Sequence, residues 1–146
     1  MKVKGYRFKH RLRVRYSEVD TQQIVFNSNY LNYINIAASE YFCEVLQIDL
    51  FELEQSEIID RVIKKATLEY SKPAAMYDWL NIWCRTVKIG NTSLVMEFII
   101  TRDEEEGVLF SAEILYVSYN PKIGAIKPIP DVLRQTIERY EHGNNY

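Results

Sequence analysis

The sequence predicts an α+β fold in which one long helix is wrapped by a mainly antiparallel sheet. Three observations carry that expectation. One stretch, Ser28 to Leu46, has helical periodicity and contains neither glycine nor proline. The segment before it, and several after it, alternate with the period of two that marks strands. The later strands also follow one another across hairpin-length turns with no helix between them, which favours antiparallel pairing.

The elements can be justified in order. In "FKHRLRVRYSEV", Leu12, Val14 and Tyr16 alternate with Arg11, Arg13 and Arg15, as in a half-buried strand. Alternation explains the arginine row as a solvated face more simply than a phosphate patch does. A turn around Asp20 follows. From Ser28 the period changes: Tyr30, Ile34, Ala37, Ala38, Tyr41 and Val45 recur at helical spacing, and Ser28 or Asn29 is the expected N-cap. The acidic stretch from Asp49 to Glu57 reads as irregular. "RVIKKATLEYS", "DWLNIWCRTVK", "SLVMEFIITR" and "VLFSAEILYVSYN" then read as four strands. "IGNT" separates the second and third, with Gly90 and Asn91 suited to left-handed backbone angles. "DEEEG" separates the third and fourth, with Gly107 at its end. A short helix, "DVLRQTIERYE", follows Pro130 with Asp131 as its expected cap.

At 146 residues the chain can bury a sizeable core and reads as one domain, 1–146. Some strands are apolar on both faces. Leu80, Ile82 and Cys84 oppose Trp79 and Trp83, and a sheet face left over after the helix is covered predicts an oligomer. The tryptophans fit such an interface, or the core, better than a ligand platform. Eleven tyrosines suit partly wet interfaces. The net charge of −2 gives no electrostatic case for nucleic acid. "MKVKGYRFKH" has no secretory pattern, and no run approaches the ~18 apolar residues of a membrane span. Cys43 and Cys84 lie in apolar surroundings and read as buried free thiols, so the expected location is cytoplasmic. His10, His142, Cys43 and Cys84 lack metal-ligand spacing, so no metal is expected.

The block "VRYSEVDTQQIVFNSNYLNYINIAASEYF" resembles the signature of the hotdog-fold thioesterases of the 4-hydroxybenzoyl-CoA thioesterase type. Tyr16, Asp20, Ile24, Val25, Phe26, Asn29 and Tyr30 fall in register with it. "LEYSKPAAMYDWL", "NTSLVMEF" and "PKIGAIKPIPDVLRQTI" are similar to later family segments, so the likeness covers nearly the whole chain. It implies a hotdog fold, in which a long central helix is wrapped by a curved, mainly antiparallel five-stranded sheet. It also implies a homodimer, and a dimer of dimers, with sites between subunits.

For function, the resemblance implies an acyl-CoA thioesterase that needs no cofactor. Asp20 would act as nucleophile or general base, and the Asn27 backbone N–H as oxyanion donor. Asn29 would support the turn, with Phe26 and Tyr30 beside it as packing or substrate-facing residues. Ser93 and Lys88 would lie near the pantetheine or nucleotide of CoA. The chemistry stands on its own terms. A thioester carbonyl needs a nucleophile on one side and donors aimed at the developing oxyanion on the other, and a helix N-terminus supplies free N–H groups. A carboxylate is ionised at neutral pH without an activating base. Glu40, on the helix, is the rival acid.

Two positions depart from the family pattern. Gln23 replaces a glycine, so the turn either avoids a positive φ or tolerates strain. Asn27 replaces a His or Tyr, and its amide could orient water. The neutral "GNT" turn suggests an acyl-carrier-protein thioesterase as one alternative. A non-catalytic acyl-ligand binding protein is the other.

Overall fold

The computed structural model describes residues 2–58 and 60–143. Five long strands form one antiparallel sheet: β1 (Phe8–Arg13), β2 (Arg61–Tyr70), β3 (Trp79–Ile89), β4 (Ser93–Arg102) and β5 (Phe110–Asn120). Their spatial order is β1-β3-β4-β5-β2. A two-residue strand, β6 (Ala125–Ile126), pairs with β5 as a sixth. The helices are α1 (Asn29–Leu46), α2 (Leu50–Ser56) and α3 (Asp131–His142).

The register explains why α1 sits where it does. Ile82 pairs with Ile100 and Cys84 with Phe98, while Phe98 pairs with Ala112 and Ile100 with Phe110. These side chains therefore form an apolar patch on one face of the sheet, all buried. Onto it α1 lays Tyr30, Tyr33, Ile34, Ala37, Ala38, Tyr41, Phe42 and Val45, also all buried. A fully buried Ile, Leu or Phe is worth about 1.5–3 kcal/mol, so this face outweighs the modest helix propensity of the aromatic residues in α1. The other face of β3 is partly covered locally. The Arg11 guanidinium lies 4.0 Å from the centre of the Trp79 ring, and Lys9 lies over Trp83, whose indole N–H donates to Thr101 Oγ1 at 3.0 Å. β2 is an edge strand with Val62, Ile63 and Tyr70 exposed.

Several expectations need correcting. The acidic stretch after α1 is a helix, α2, because the Asp49 carboxylate caps it by accepting the Glu52 N–H at 2.8 Å. β1 ends at Arg13, so Tyr16 leaves the alternation and is exposed on a 3-10 turn (Tyr16–Glu18). Asp131 lies in the first turn of α3, and Pro130 holds the cap position. Neither Gly90 nor Asn91 takes a positive φ, whereas Gly107 does, at 109°. Cys84 is buried but Cys43 is only half-buried; both are free. Among the described residues, no helix is long and apolar enough to cross a membrane.

Candidate active site

The strand-to-helix junction is tied on both sides. Leaving β1, Val14 N–H donates to Asp78 C=O at 2.8 Å and Tyr77 N–H returns to Val14 C=O at 3.2 Å. The chain then folds back on itself. Asp20 N–H donates to Ile24 C=O and Gln23 N–H to Asp20 C=O, both at 2.9 Å. Val25 N–H reaches Ala74 C=O at 2.8 Å, and Met76 N–H reaches Gln23 C=O at 3.0 Å, which pins the outer side of the turn to the segment before β3. Arg102 braces that segment, donating to Asp78 at 2.8 Å and to Pro73 C=O at 2.9 Å. The Pro73 and Asp78 spacing therefore serves a clamp.

Within the turn, Asp20 Oδ1 accepts the Gln22 N–H at 2.7 Å, an Asx turn that fixes the carboxylate. Its Oδ2 has no hydrogen-bond partner among the described residues. Gln23 adopts φ +64°, so the turn tolerates the left-handed conformation instead of avoiding it. Asp20 opens into a cleft of about 490 Å³ lined also by Tyr16, Ser17, Val19, Thr21, Gln23 and Met76.

On the inner side, Phe26 N–H donates to Glu18 C=O at 3.0 Å and Asn29 Nδ2 to the same oxygen at 2.9 Å. Asn29 is thus a support of the turn. Asn27 is exposed, its carbonyl accepts the Tyr70 hydroxyl at 3.1 Å, and its N–H has no partner among the described residues. Ser28 is the N-cap but makes no side-chain capping bond. Phe26 is half-exposed. Tyr30 is buried: it stacks on Phe110 with ring centroids 4.8 Å apart, and its oxygen accepts the Ala74 N–H at 3.0 Å. Its place is in the packing.

The remaining candidates lie elsewhere in the chain. Lys88 and Ser93 flank the β3–β4 turn, at the far end of an 11-residue strand from Asp78. At ~3.3 Å per residue, that separates them from the Asp20 end by roughly 30 Å. Lys88 lines a groove of about 290 Å³ with Glu138, Glu141 and His142 of α3. Ser93 Oγ packs against Gly90, where an added Cβ would meet it at 2.6 Å. Glu40 lines a third groove with His10, Cys43 and Asp49, apart from Asp20. Among the described residues, no cluster of three or more His, Cys, Asp or Glu could hold a metal ion.

Sequence reasoning missed Glu18, on which the inner side converges. Its carboxylate accepts from Arg15 N–H at 2.8 Å, Arg15 Nη2 at 2.7 Å and the Tyr33 hydroxyl at 2.9 Å. Burial pushes its carboxyl up, but the bonds from Arg15 and Tyr33 outweigh burial and hold it below the ordinary value. Burial, and then the carboxylate beside it, push the Tyr33 hydroxyl up. The three-residue spacing of Arg15 and Glu18 was the available signal.

Comparison with known proteins places this arrangement. The profile of the thioesterase-like superfamily matches residues 14–137. The chain belongs to that superfamily. It is similar to the acyl-CoA thioester hydrolase YbgC of Escherichia coli, 29% identical over 116 residues, covering 78% of this chain and 83% of YbgC. A thioesterase from Thermus thermophilus, solved with coenzyme A and zinc, superposes with a TM-score of 0.79 at 26% identity, covering 99% of this chain and 100% of that one. The BH1999 gentisyl-coenzyme A thioesterase shares the fold, with a TM-score of 0.77 at 23% identity over 89% of this chain and 99% of its own. This thioesterase-like chain is a hotdog fold, as its curled sheet and long helix indicate.

Proposed function

We propose that the protein hydrolyses an acyl-CoA thioester to a free acid and CoA. The observation that carries this reading is Asp20. It sits in an open cleft, with one carboxylate oxygen fixed by the Gln22 N–H and the other free to react. Membership of the superfamily and the likeness to YbgC support the substrate class.

In the nucleophilic route, Asp20 Oδ2 bonds to the thioester carbon. The oxyanion takes the Asn27 N–H, and collapse breaks the C–S bond to release the CoA thiolate, which water protonates. Water then hydrolyses the acyl-aspartyl anhydride, so one hard step becomes two easier ones. In the general-base route, Asp20 instead takes a proton from the attacking water. In one chain, Lys88 and Ser93 lie at the opposite sheet end from Asp20. The proposed site is therefore completed by a second subunit. The assembly is a homodimer, and further a dimer of dimers, of single-domain chains 1–146. Two free thiols fit the reducing cytoplasm.

A second reading, an acyl-carrier-protein substrate, is favoured by the absence of any cation in the 90–92 turn. Thiol release from short, long and aromatic acyl-CoAs tests the first reading, with wild type run beside Asp20→Asn. Removing the charge while keeping the shape should lower kcat by about 10²–10⁴-fold with fold and oligomer intact. An Asp20→Asn variant as active as wild type would overturn the assignment and turn attention to Glu40. Activity only on carrier-bound acyl groups would support the second reading.

A further inference from the structure

Six hydrogen bonds converge on Glu18, from the residue before its 3-10 turn, the end of the Asp20 turn and the first turns of α1. Its carbonyl takes the Phe26 N–H and the Asn29 amide. Its carboxylate takes the Arg15 backbone N–H, two guanidinium N–H groups of Arg15 and the Tyr33 hydroxyl. The side chain is only 12% exposed, although the 3-10 turn that carries it contains no buried residue. An ionised group drawn out of water is costly unless it is fully paired, and this one is.

The connectivity gives the pairing a use. Asp20 lies two residues after Glu18, and Asn27 follows Phe26, which Glu18 holds directly. Tyr33 lies one helical turn beyond Asn29, so the carboxylate also grips the flank of α1. Glu18 thus joins the end carrying the reactive carboxylate to the helix start carrying the free N–H. Glu18 itself is not among the residues lining the cleft, although Ser17 and Val19 are.

We infer that Glu18 is a positioning residue for thioester hydrolysis, holding Asp20 and the Asn27 amide at a fixed separation through its ties to Arg15, Tyr33, Phe26 and Asn29. The inference rests on the proposed roles of Asp20 and Asn27. Reacting groups held near attack geometry lose about 10²-fold in rate when displaced by ~1 Å, so the ties act on kcat.

The test compares Glu18→Gln and Tyr33→Phe with wild type, Asp20→Asn and Glu97→Gln. Glu97 pairs with Arg85 at 2.7 Å on the sheet, so its loss removes a comparable ion pair away from the turn. Glu18→Gln should lower kcat about 10–100-fold with KM changed less than ~2-fold, and Tyr33→Phe by a smaller factor. Glu97→Gln should keep the wild-type kcat. If Glu18→Gln fails to fold, Tyr33→Phe carries the test, since it keeps the buried ring and removes one tie. A fully active Glu18→Gln and Tyr33→Phe beside an inactive Asp20→Asn would overturn this inference alone. Equal activity of Asp20→Asn and wild type would overturn the reading of Asp20 and this inference with it. If wild type hydrolyses none of the panel, amide hydrogen exchange decides. Exchange at Phe26 about 10-fold faster in Glu18→Gln upholds the tether, and unchanged exchange overturns it.

Discussion

Gln23 holds a backbone conformation that L-residues rarely adopt, at φ +64°, in the turn that presents Asp20. Left-handed geometry costs a residue with a Cβ roughly 1–2 kcal/mol, and glycine returns part of that difference through greater unfolded-state entropy. The Gln23 side chain is exposed, so its removal forfeits little burial. Gln23→Gly should therefore stabilise the fold by about 0.5–1 kcal/mol, read as a higher urea midpoint at unchanged slope. A lower midpoint would mean that the carboxamide contributes more than its backbone costs. The turn that presents Asp20 was legible because its neighbours in sequence, Ile24 to Tyr30, fix it and the helix start. Glu18 was not, because its importance lies in Tyr33, 15 residues on, and in an Asn29 amide whose direction no spacing rule gives. Tyr16 was misread for a related reason. The alternation that held through Val14 stops where β1 pairing ends, and the strand is released into a 3-10 turn.

Elements with a strong period were read almost to the residue, since α1 spans Asn29–Leu46 and its expected core positions are buried. The short ones were not. α2 has seven residues and one buried side chain, Leu53, so its helical state rests on the Asp49 cap and packing against α1, with little periodic signal. The attachment of α3 was equally hidden in sequence. Near its C-terminal end, Glu141 accepts the Tyr41 hydroxyl at 2.6 Å and the Thr86 N–H at 2.9 Å, joining α3 to α1 and β3. Glu141→Ala would leave the Thr86 N–H without its acceptor and take one of two partners from the fully buried Tyr41 hydroxyl, which also lies 2.9 Å from Thr86 Oγ1. It should cost about 2 kcal/mol in chemical denaturation, because a buried donor left unsatisfied costs ~1–3 kcal/mol. The exposed Glu138→Ala, one turn earlier, should stay within about 0.5 kcal/mol. Equal effects of the two variants would show that α3 is held by Leu133 and Ile137 alone.

Across the whole molecule five tyrosines are buried, Tyr6, Tyr30, Tyr33, Tyr41 and Tyr116, and this sets its limits in pH. On the acid side, the Glu18 carboxyl lies below its ordinary 4.5 in the folded state. The stability it contributes is therefore present above that value and fades as pH falls through the folded one. The alkaline side is steeper. Burial first, and then nearby carboxylates, push the Tyr33 and Tyr41 hydroxyls well up, and Tyr140 is raised to about 12. A tyrosine whose folded value exceeds its unfolded value near 10 keeps its proton in the native state while the unfolded chain releases it. The native state then binds more protons, and stability falls with rising pH above about 10 by ~1.4 kcal/mol per unit for each such group. Tyr33 and Tyr41 alone should remove about 3 kcal/mol by pH 11, a large share of the 5–15 kcal/mol typical of a folded domain. Urea unfolding followed by tryptophan fluorescence at pH 8 and pH 11 measures this directly. Tyr33→Phe removes one such group, so the drop between those pH values should shrink by about 1.4 kcal/mol, even though the variant starts less stable. If wild type unfolds at the same urea concentration at both pH values, the buried hydroxyls ionise in place, and the core around α1 admits water that its packing in the folded state excludes.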